Sequence, residues 1–176
     1  MYFDPEMGKN IAYLLLGSNM GNRSAFLENA CKMILVEIGT IIRRSSVYET
    51  EPWGFEAKLP FFNQAIEVET VKPARLVMRE ILRIEKNLGR IRNAVGYESR
   101  CIDIDILFFG KEIIQSPELT IPHPLIQERR FVLVPLNEIN PDLIHPLLGL
   151  NVSELLSACN DKGKVRKYWK HQGTGC

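Results

Sequence analysis

The chain lacks the features of secreted, membrane-spanning and zinc-binding proteins. Its four cysteines, Cys31, Cys101, Cys159 and Cys176, show no C-x-x-C spacing, so the sequence predicts neither a zinc site nor a disulfide framework. No apolar run approaches the length that spans a membrane, and the N-terminal residues mix Asp, Glu and Lys, unlike a secretory signal. We therefore expect a cytoplasmic protein without a membrane partner.

The chain also has no large excess of either charge. Its 176 residues include 22 Lys and Arg and 21 Asp and Glu, which gives a net charge of +1. A general nucleic-acid binder needs a basic surface, so we expect no nucleic-acid partner and a local anion site. Since no internal repeat or linker is visible, we expect one domain over residues 1–176. We expect this domain to be a monomer. Its core should span about residues 11–160, with loose ends at 1–9 and 172–176.

The chain has no complete glycine-rich motif for phosphate binding, because it contains neither G-x-G-x-x-G nor a Walker sequence. A short apolar strand, Ile11 to Leu16, nevertheless runs into Gly17-Ser18-Asn19. The backbone N–H groups of such a turn can bind phosphate, although a structural turn is the commoner use. Both interpretations stay open.

Hydrophobic periodicity predicts a mixture of helices and strands. Apolar residues near 3.6 spacing indicate two helices, Ser24 to Ile38 and Pro73 to Leu88, with Pro73 at the first helical position. Alternating or wholly apolar runs indicate the strands Ile11 to Leu16, Ile41 to Glu49, Gln64 to Val71 and Cys101 to Gly110. The order βαββαβ is that of an α+β, ferredoxin-like sandwich, with two helices packed on one face of an antiparallel sheet.

Smaller features complete the predicted fold. In the third strand Glu67 and Glu69 should lie on a solvent-facing side, opposite Ile66 and Val68. An additional C-terminal hairpin and short helices should follow the fourth strand. We expect its hairpin partner at Glu112 to Ile114, a helical turn at Val134 to Ile139, and a helix from Ser153, as cap, to Cys159.

The fourth strand carries two carboxylates. Successive side chains on a strand point to opposite faces, so Asp103 and Asp105 share one face, roughly 6–7 Å apart. Mg²⁺ prefers such oxygen ligands together with substrate phosphates, although a solvent-facing strand surface fits the pattern about equally well. Arg90, Arg92 and Arg100 in the preceding loop favour a metal-bound polyphosphate.

A loop between the second and third strands is rich in aromatic residues. From Thr50 to Asn63 it contains four aromatic side chains, with two prolines and a glycine that exclude regular structure. Such a loop either binds a flat ligand or folds onto the core. The loop alone does not decide between these hypotheses.

Several motifs occur together in a specific order over about residues 11–156. They are Leu16-Gly17-Ser18-Asn19, Tyr48-Glu49-Thr50-Glu51-Pro52-Trp53-Gly54, Phe61-Phe62-Asn63, Gly89-Arg90-Ile91-Arg92, Arg100-Cys101-Ile102-Asp103-Ile104-Asp105, Ile121-Pro122-His123-Pro124 and Arg129-Arg130-Phe131. In this arrangement the chain resembles the 6-hydroxymethyl-7,8-dihydropterin pyrophosphokinases of folate biosynthesis.

The resemblance implies transfer of pyrophosphate from ATP to 6-hydroxymethyl-7,8-dihydropterin. Asp103 and Asp105 would hold two Mg²⁺ ions, and Arg90 and Arg100 would stabilise charge during transfer. The residues expected to contact ATP are Glu85, Arg92, Tyr97, Ile106, Thr120, His123 and Arg129. Those expected at the pterin are Thr50, Glu51, Pro52, Gly54, Phe61, Asn63 and Phe131.

Some of these positions have other interpretations. Without the resemblance, His123 fits a turn between prolines, and Phe61 and Phe131 fit a core. Glu85 either contacts ATP or pairs with a neighbouring base. The family commonly has Arg-Trp-Gly-Pro-Arg before the acidic strand, where this chain has Gly96-Tyr97-Glu98-Ser99-Arg100, so Tyr97 would replace the aromatic side chain.

Two other classes of protein share part of this pattern. Nucleotidyltransferases also combine a Gly-Ser turn with D-x-D, but the two motifs normally lie in one short stretch, whereas Gly17 and Asp103 are far apart here. A ferredoxin-like RNA-binding module would need aromatic side chains on the sheet and a basic surface. The aromatic residues here concentrate in loops, which favours the kinase.

The acidic strand yields a first prediction. Asp103→Ala or Asp105→Ala should lower turnover by several orders of magnitude and leave the fold intact, because removing one of two like charges need not destabilise the strand. Steady-state kinetics with circular dichroism as the folding control would test this. Near-normal activity in either variant would contradict the metal assignment.

Overall fold

The computed structural model describes residues 8–54, 59–90 and 100–169, so most of both predicted loose ends lies outside the described residues. Within these ranges the chain forms β1 (Asn10–Ser18), α1 (Arg23–Glu37), β2 (Thr40–Arg44), β3 (Tyr48–Thr50), β4 (Phe61–Thr70), α2 (Ala74–Asn87), β5 (Asp103–Phe109), β6 (Ile114–Gln115), β7 (Thr120–Ile121), α3 (Arg130–Ile139), α4 (Val152–Ala158) and β8 (Val165–Lys167). A single 3₁₀ turn, Ile126–Glu128, precedes α3.

The main sheet is antiparallel, and its strand order is β5-β1-β4-β3-β8, with β2 also pairing with β4. The predicted α+β class with an antiparallel sheet is therefore confirmed. The single strand predicted from Ile41 to Glu49 is wrong, because it divides into β2 and β3. Ser45 lies at the break, where its Oγ accepts a hydrogen bond from the Ala65 N–H at 3.0 Å.

Helices cover both faces of this sheet. One face packs on α1 and α2 through a cluster that includes Leu14, Ile66, Ile104, Ile34 and Ile81. These are the two helices that the sequence predicts on one face of the sheet. The other face packs on α3 and α4, which the sequence analysis did not place against the sheet.

The second helical layer explains an error in the sequence analysis. Glu67 was predicted to face solvent, but it is 5% exposed. Its carboxylate lies 2.8 Å from Arg43 Nε, so the charge is paired where α3 covers the sheet. The alternation of polar and apolar residues correctly assigns side chains to the two faces of β4. It does not show that helices cover the face on which Glu67 lies.

Several boundaries also differ from the predictions. The strand β6 pairs with β7 and not with β5, so the predicted hairpin partner Glu112 to Ile114 is wrong. The predicted turn Val134 to Ile139 is the second half of α3. Pro73 is the N-cap of α2 rather than its first helical residue. Asn151, not Ser153, caps α4, because its side chain accepts from Glu154 N in a capping box.

No helix in the described ranges combines the length and the apolar character that a membrane crossing requires.

Candidate active site

The register of the sheet brings Asp103 next to a position that has no side chain. Asp103 lies opposite Gly17 on β1, and Gly17 lies opposite Asn63 on β4, so the three residues form one row across the sheet. A Cβ atom at Gly17 would lie 3.0 Å from Asn63 Oδ1 and 4.0 Å from Asp103 Cβ. Glycine therefore leaves open the floor between the amide and the carboxylate.

A cavity of about 200 Å³ lies over this row. Its walls come from the acidic strand, the aromatic loop and the start of α3. The lining residues are Leu15, Gly17, Thr50, Glu51, Trp53, Phe61, Asn63, Arg100, Asp103, Asp105, His123, Arg129 and Phe131. Pterin-site candidates and phosphate-site candidates thus line one cavity, although Pro52 and Gly54 flank Trp53 without lining it.

The two phenylalanines at the end of the aromatic loop have different surroundings, and the binding of a flat ligand stays a prediction. Phe61 lines the cavity, whereas its neighbour Phe62 is 3% exposed and packs in the core. The Asn63 side chain, also buried, donates a hydrogen bond from Nδ2 to Thr50 Oγ1 at 2.7 Å. Alternating side-chain directions at the start of β4 therefore place one aromatic ring at the cavity and the next in the core.

A second cavity, of about 250 Å³, adjoins the first. Asp105 and His123 line both cavities, so the two meet at these residues. Ile106 and Thr120, both predicted near ATP, line the second cavity, together with Met78, Ile104, Pro117, Glu118, Leu119 and Pro124.

Asp103 is held between two arginines. Its Oδ1 accepts a hydrogen bond from Arg90, and its Oδ2 accepts one from Arg100. Arg90 also forms an ion pair with Glu85, whose side chain is 2% exposed. Glu85 Oε1 accepts a further hydrogen bond from the Ile104 N–H at 2.9 Å. Glu85 therefore does pair with a neighbouring base, and a contact between Glu85 and ATP stays a prediction.

The neighbouring carboxylates of Asp103 and Asp105 form a position at which a bound cation would be favourable. Burial and, second, the Asp103 carboxylate raise the pKa of Asp105 to about 7, although Arg129 and Arg100 act in the opposite direction. A divalent cation at this position would offset both unfavourable effects. In the described part of the chain no three His, Cys, Asp or Glu residues group around a metal position. Two carboxylates with substrate phosphates and water are, however, a sufficient ligand set for Mg²⁺.

The Gly-Ser-Asn turn positions one of the arginines. Asn19 N–H donates to the Arg100 carbonyl oxygen at 3.1 Å, and Arg100 N–H donates to Asn19 Oδ1 at 2.7 Å. Of the two interpretations open for this turn, the structural one is therefore observed. Neither Gly17 nor Asn19 was among the predicted site residues, although both belong to the motif Leu16-Gly17-Ser18-Asn19.

Arg129 and His123 lie on the side of the cavity near α3. The Arg129 guanidinium carbon is 4.6 Å from the Trp53 ring centroid and 5.8 Å from that of Phe131. His123 Nδ1 accepts a hydrogen bond from Leu125 N–H at 3.2 Å, so a neutral ring carries its proton on Nε2. Burial and then the Arg129 charge lower the pKa of His123 to about 4.

Two predicted ATP contacts, Arg92 and Tyr97, lie outside the described residues, as does the altered segment from Gly96 to Ser99.

Residues 13–141 match the family model described as 7,8-dihydro-6-hydroxymethylpterin-pyrophosphokinase (HPPK). The 2-amino-4-hydroxy-6-hydroxymethyldihydropteridine pyrophosphokinase of Porphyromonas gingivalis is 41% identical over 139 residues, covering 77% of this chain and 94% of its own length. The Bacillus subtilis protein of the same name is 41% identical over 131 residues, which cover 74% of this chain and 78% of that protein.

Longer proteins contain a similar region. The folic acid synthesis protein fol1 of Pneumocystis carinii is 40% identical over 141 residues, which cover 80% of this chain but 19% of that protein. A crystal structure of a Plasmodium falciparum HPPK-DHPS triple mutant with SDX-DHP superposes with a TM-score of 0.69 over 88% of this chain and 45% of that one. At 20% identity this second likeness supports the fold alone.

The resemblance predicted from the motifs is therefore confirmed, and the chain belongs to the 7,8-dihydro-6-hydroxymethylpterin-pyrophosphokinase family.

Proposed function

We propose that this chain transfers a pyrophosphoryl group from ATP to 6-hydroxymethyl-7,8-dihydropterin, giving AMP and the pterin diphosphate, as a step of folate synthesis. The names of its relatives support this activity. The structural observation that carries the proposal is the junction of two cavities at Asp105 and His123. One cavity suits a flat acceptor, the other a nucleoside, and phosphates would lie between them.

The first cavity has the groups that a pterin requires. Phe61 and Phe131 supply ring faces for stacking, and Asn63 supplies an amide for the polar ring edge. Thr50 Oγ1 accepts from Asn63 Nδ2, which fixes the amide orientation and leaves Asn63 Oδ1 beside the open floor at Gly17. Glu51 and the neighbouring Pro52 and Gly54 would form the outer part of this subsite.

The charged side chains near the place where the two cavities meet suit a polyphosphate bound with metal ions. Asp103 and Asp105 would hold two Mg²⁺ ions, which would neutralise phosphate oxygens when bound. Arg90 and Arg100, already beside Asp103, would stabilise charge that develops during transfer. Arg129 and His123 would contact the triphosphate, and Ile106 and Thr120 the nucleoside. Contacts of Glu85, Arg92 and Tyr97 with ATP remain part of the proposal.

The proposed reaction needs positioning more than covalent catalysis. The pterin hydroxyl would attack the β-phosphorus of ATP in line with departing AMP. The carboxylates lie on β5 and Asn63 lies on β4, and both strands pair with β1, so the acceptor and the phosphates would be held by one sheet. The shared boundary of the two cavities is where the two substrates would meet.

The strand order also bears on the fold family. In the predicted βαββαβ order, β1 is the first strand, β2 and β3 together are the second, β4 is the third and β5 is the fourth. Across the sheet these four lie in the order fourth, first, third, second. This order supports the ferredoxin-like assignment within the proposal. A monomeric state, a cytoplasmic location and the absence of nucleic-acid and membrane partners stay predictions.

The products of ATP turnover provide the direct test. With Mg²⁺, ATP and 6-hydroxymethyl-7,8-dihydropterin, chromatography should show AMP and a pyrophosphorylated pterin in equal amounts. Release of free pyrophosphate with a nucleotidylated acceptor would instead support a nucleotidyltransferase. No pterin-dependent turnover of ATP would contradict the proposal.

Asn63→Ala should weaken pterin binding selectively. Loss of the buried amide leaves ligand polar groups unpaired, so the pterin Kd should rise by the equivalent of about 1–3 kcal/mol, with ATP affinity little changed. Isothermal calorimetry measures both constants. Asn10→Ala is the matched control, because Asn10 lies at the opposite end of the β1–β4 pairing from Asn63. Equal pterin affinity in the Asn63→Ala variant would place the pterin elsewhere.

His123 should make stability depend on pH. Its folded-state pKa of about 4 is below the unfolded value of 6.5, so the unfolded chain binds more protons between these values. Stability associated with neutral His123 is therefore lost as pH falls from 6.5 towards 4. Relative to His123→Gln, the wild-type free energy of unfolding should decrease by about 1–2 kcal/mol between pH 7 and pH 5.

Urea unfolding at several pH values measures this difference, and the range from pH 7 to pH 8 serves as the internal control. There the two proteins should differ by a constant amount. Parallel curves down to pH 5 would show that His123 titrates as it does in the unfolded chain.

A further inference from the structure

A C-terminal segment outside the family match contacts one wall of the cavity. The strand β8 pairs with β3, with Val165 opposite Thr50, whereas the family match ends at residue 141. The pairing continues into the aromatic loop, because Glu51 N–H donates to the Lys164 carbonyl oxygen at 3.3 Å. Lys164 N–H in turn donates to Glu51 Oε2 at 3.3 Å. Thr50 and Glu51 both line the cavity, so this wall is bonded to the segment.

The same segment contacts a second wall, at the start of α3. Asp161 Oδ2 accepts a hydrogen bond from Arg130 N–H at 2.9 Å, at the first residue of α3. The N-cap residue, Arg129, makes no side-chain capping bond, so Asp161 provides both an acceptor and a negative charge at this helix start. Arg129 and Phe131, on either side of Arg130, line the cavity.

A tight turn connects these two attachments. Asp161 Oδ1 accepts from Gly163 N–H at 2.8 Å, which directs the chain from α3 towards β8. A Cβ atom at Gly163 would lie 3.1 Å from Asp161 Oδ1, so a side chain there would press on the carboxylate. The short connection therefore couples the position of Asp161 to that of Lys164 and β8.

We propose that Asp161–Lys167, here called the C-terminal brace, positions the two walls of the pterin subsite and thereby sets acceptor affinity. The inference rests on the proposed function for the identity of the ligand. Without β8, the three-residue strand β3 would pair with β4 alone in the described sheet and would be an edge strand. The brace is a positioning element and contacts no reacting atom.

The brace reaches the acceptor through Thr50. Pairing with Val165 fixes the Thr50 backbone, and Thr50 Oγ1 holds the Asn63 amide at 2.7 Å. On the other wall, the Asp161 bond fixes the backbone between Arg129 and Phe131. A site held in its binding geometry before the ligand arrives loses less entropy on binding, so loosening the brace should lower acceptor affinity.

The test compares Asp161→Ala with Asp142→Ala, which removes an exposed carboxylate beyond the C-terminal end of α3 and far from the brace. Calorimetry gives the Kd of 6-hydroxymethyl-7,8-dihydropterin, and steady-state kinetics gives kcat and the pterin KM of the full chain. Asp161→Ala should raise the pterin Kd and KM about fivefold or more, as expected for loss of a charge-assisted hydrogen bond. Its kcat at saturation should stay within about twofold, because Asp103 and Asp105 lie on β5. Asp142→Ala should match the wild type.

A different result is expected if the C-terminal brace only stabilises the fold. If the melting temperature of Asp161→Ala falls while its pterin Kd below that temperature is unchanged, the brace stabilises the fold only and the inference is overturned. A lower kcat with unchanged pterin affinity would overturn it as well. If Asp161→Ala does not fold, Asp161→Asn keeps one acceptor oxygen and should show a smaller rise in pterin Kd, whereas no rise would contradict the inference.

The wild type separates this inference from the proposed function. A wild-type chain that does not bind the pterin would contradict both. Normal wild-type turnover with normal pterin affinity in the Asp161 variants would contradict the brace alone.

Discussion

One carboxylate connects the parts of the site. Asp103 accepts from Arg90 and Arg100, and Arg90 also pairs with Glu85 on α2. Glu85 further accepts from the N–H of Ile104, so helix, loop end and acidic strand are held together by one ionic network. Such a network costs desolvation energy that apolar residues would not, so charge here is better explained by chemistry than by stability. Within the proposal, that chemistry is the neutralisation of phosphate beside Asp103.

Local patterns predict the features that depend on local geometry. The period of two on a strand places Asp103 and Asp105 on one face, where both line the cavity. Apolar spacing likewise predicts α1 and α2 to within a few residues. The open floor at Gly17 could not be predicted in this way, because it depends on the register of β1 with two strands distant in sequence. The resemblance to a family supplied what local patterns could not, by associating Asn63 with the acidic strand.

Errors arise where tertiary packing overrides a local pattern. Glu67 alternates with apolar residues as a solvent-facing glutamate would, yet α3 and Arg43 enclose it. Ser45 sits inside a run typical of a strand, but its hydroxyl accepts the backbone N–H of Ala65, and the strand divides there. In both cases the deciding partner is at least 20 residues away in the chain, beyond the window of any periodicity argument.

Several residues position the site without themselves being assigned a contact with substrate phosphates. Asn19 holds the backbone of Arg100, Thr50 holds the Asn63 amide, and Asp161 holds the start of α3. Each uses one or two hydrogen bonds, worth about 0.5–1.5 kcal/mol each in net stability and more where a charge takes part. Since about 1.4 kcal/mol corresponds to a factor of ten in an equilibrium, each such bond controls affinity or rate on a scale comparable to a direct contact. The supporting bonds therefore belong to the function of the site as much as the groups that line it.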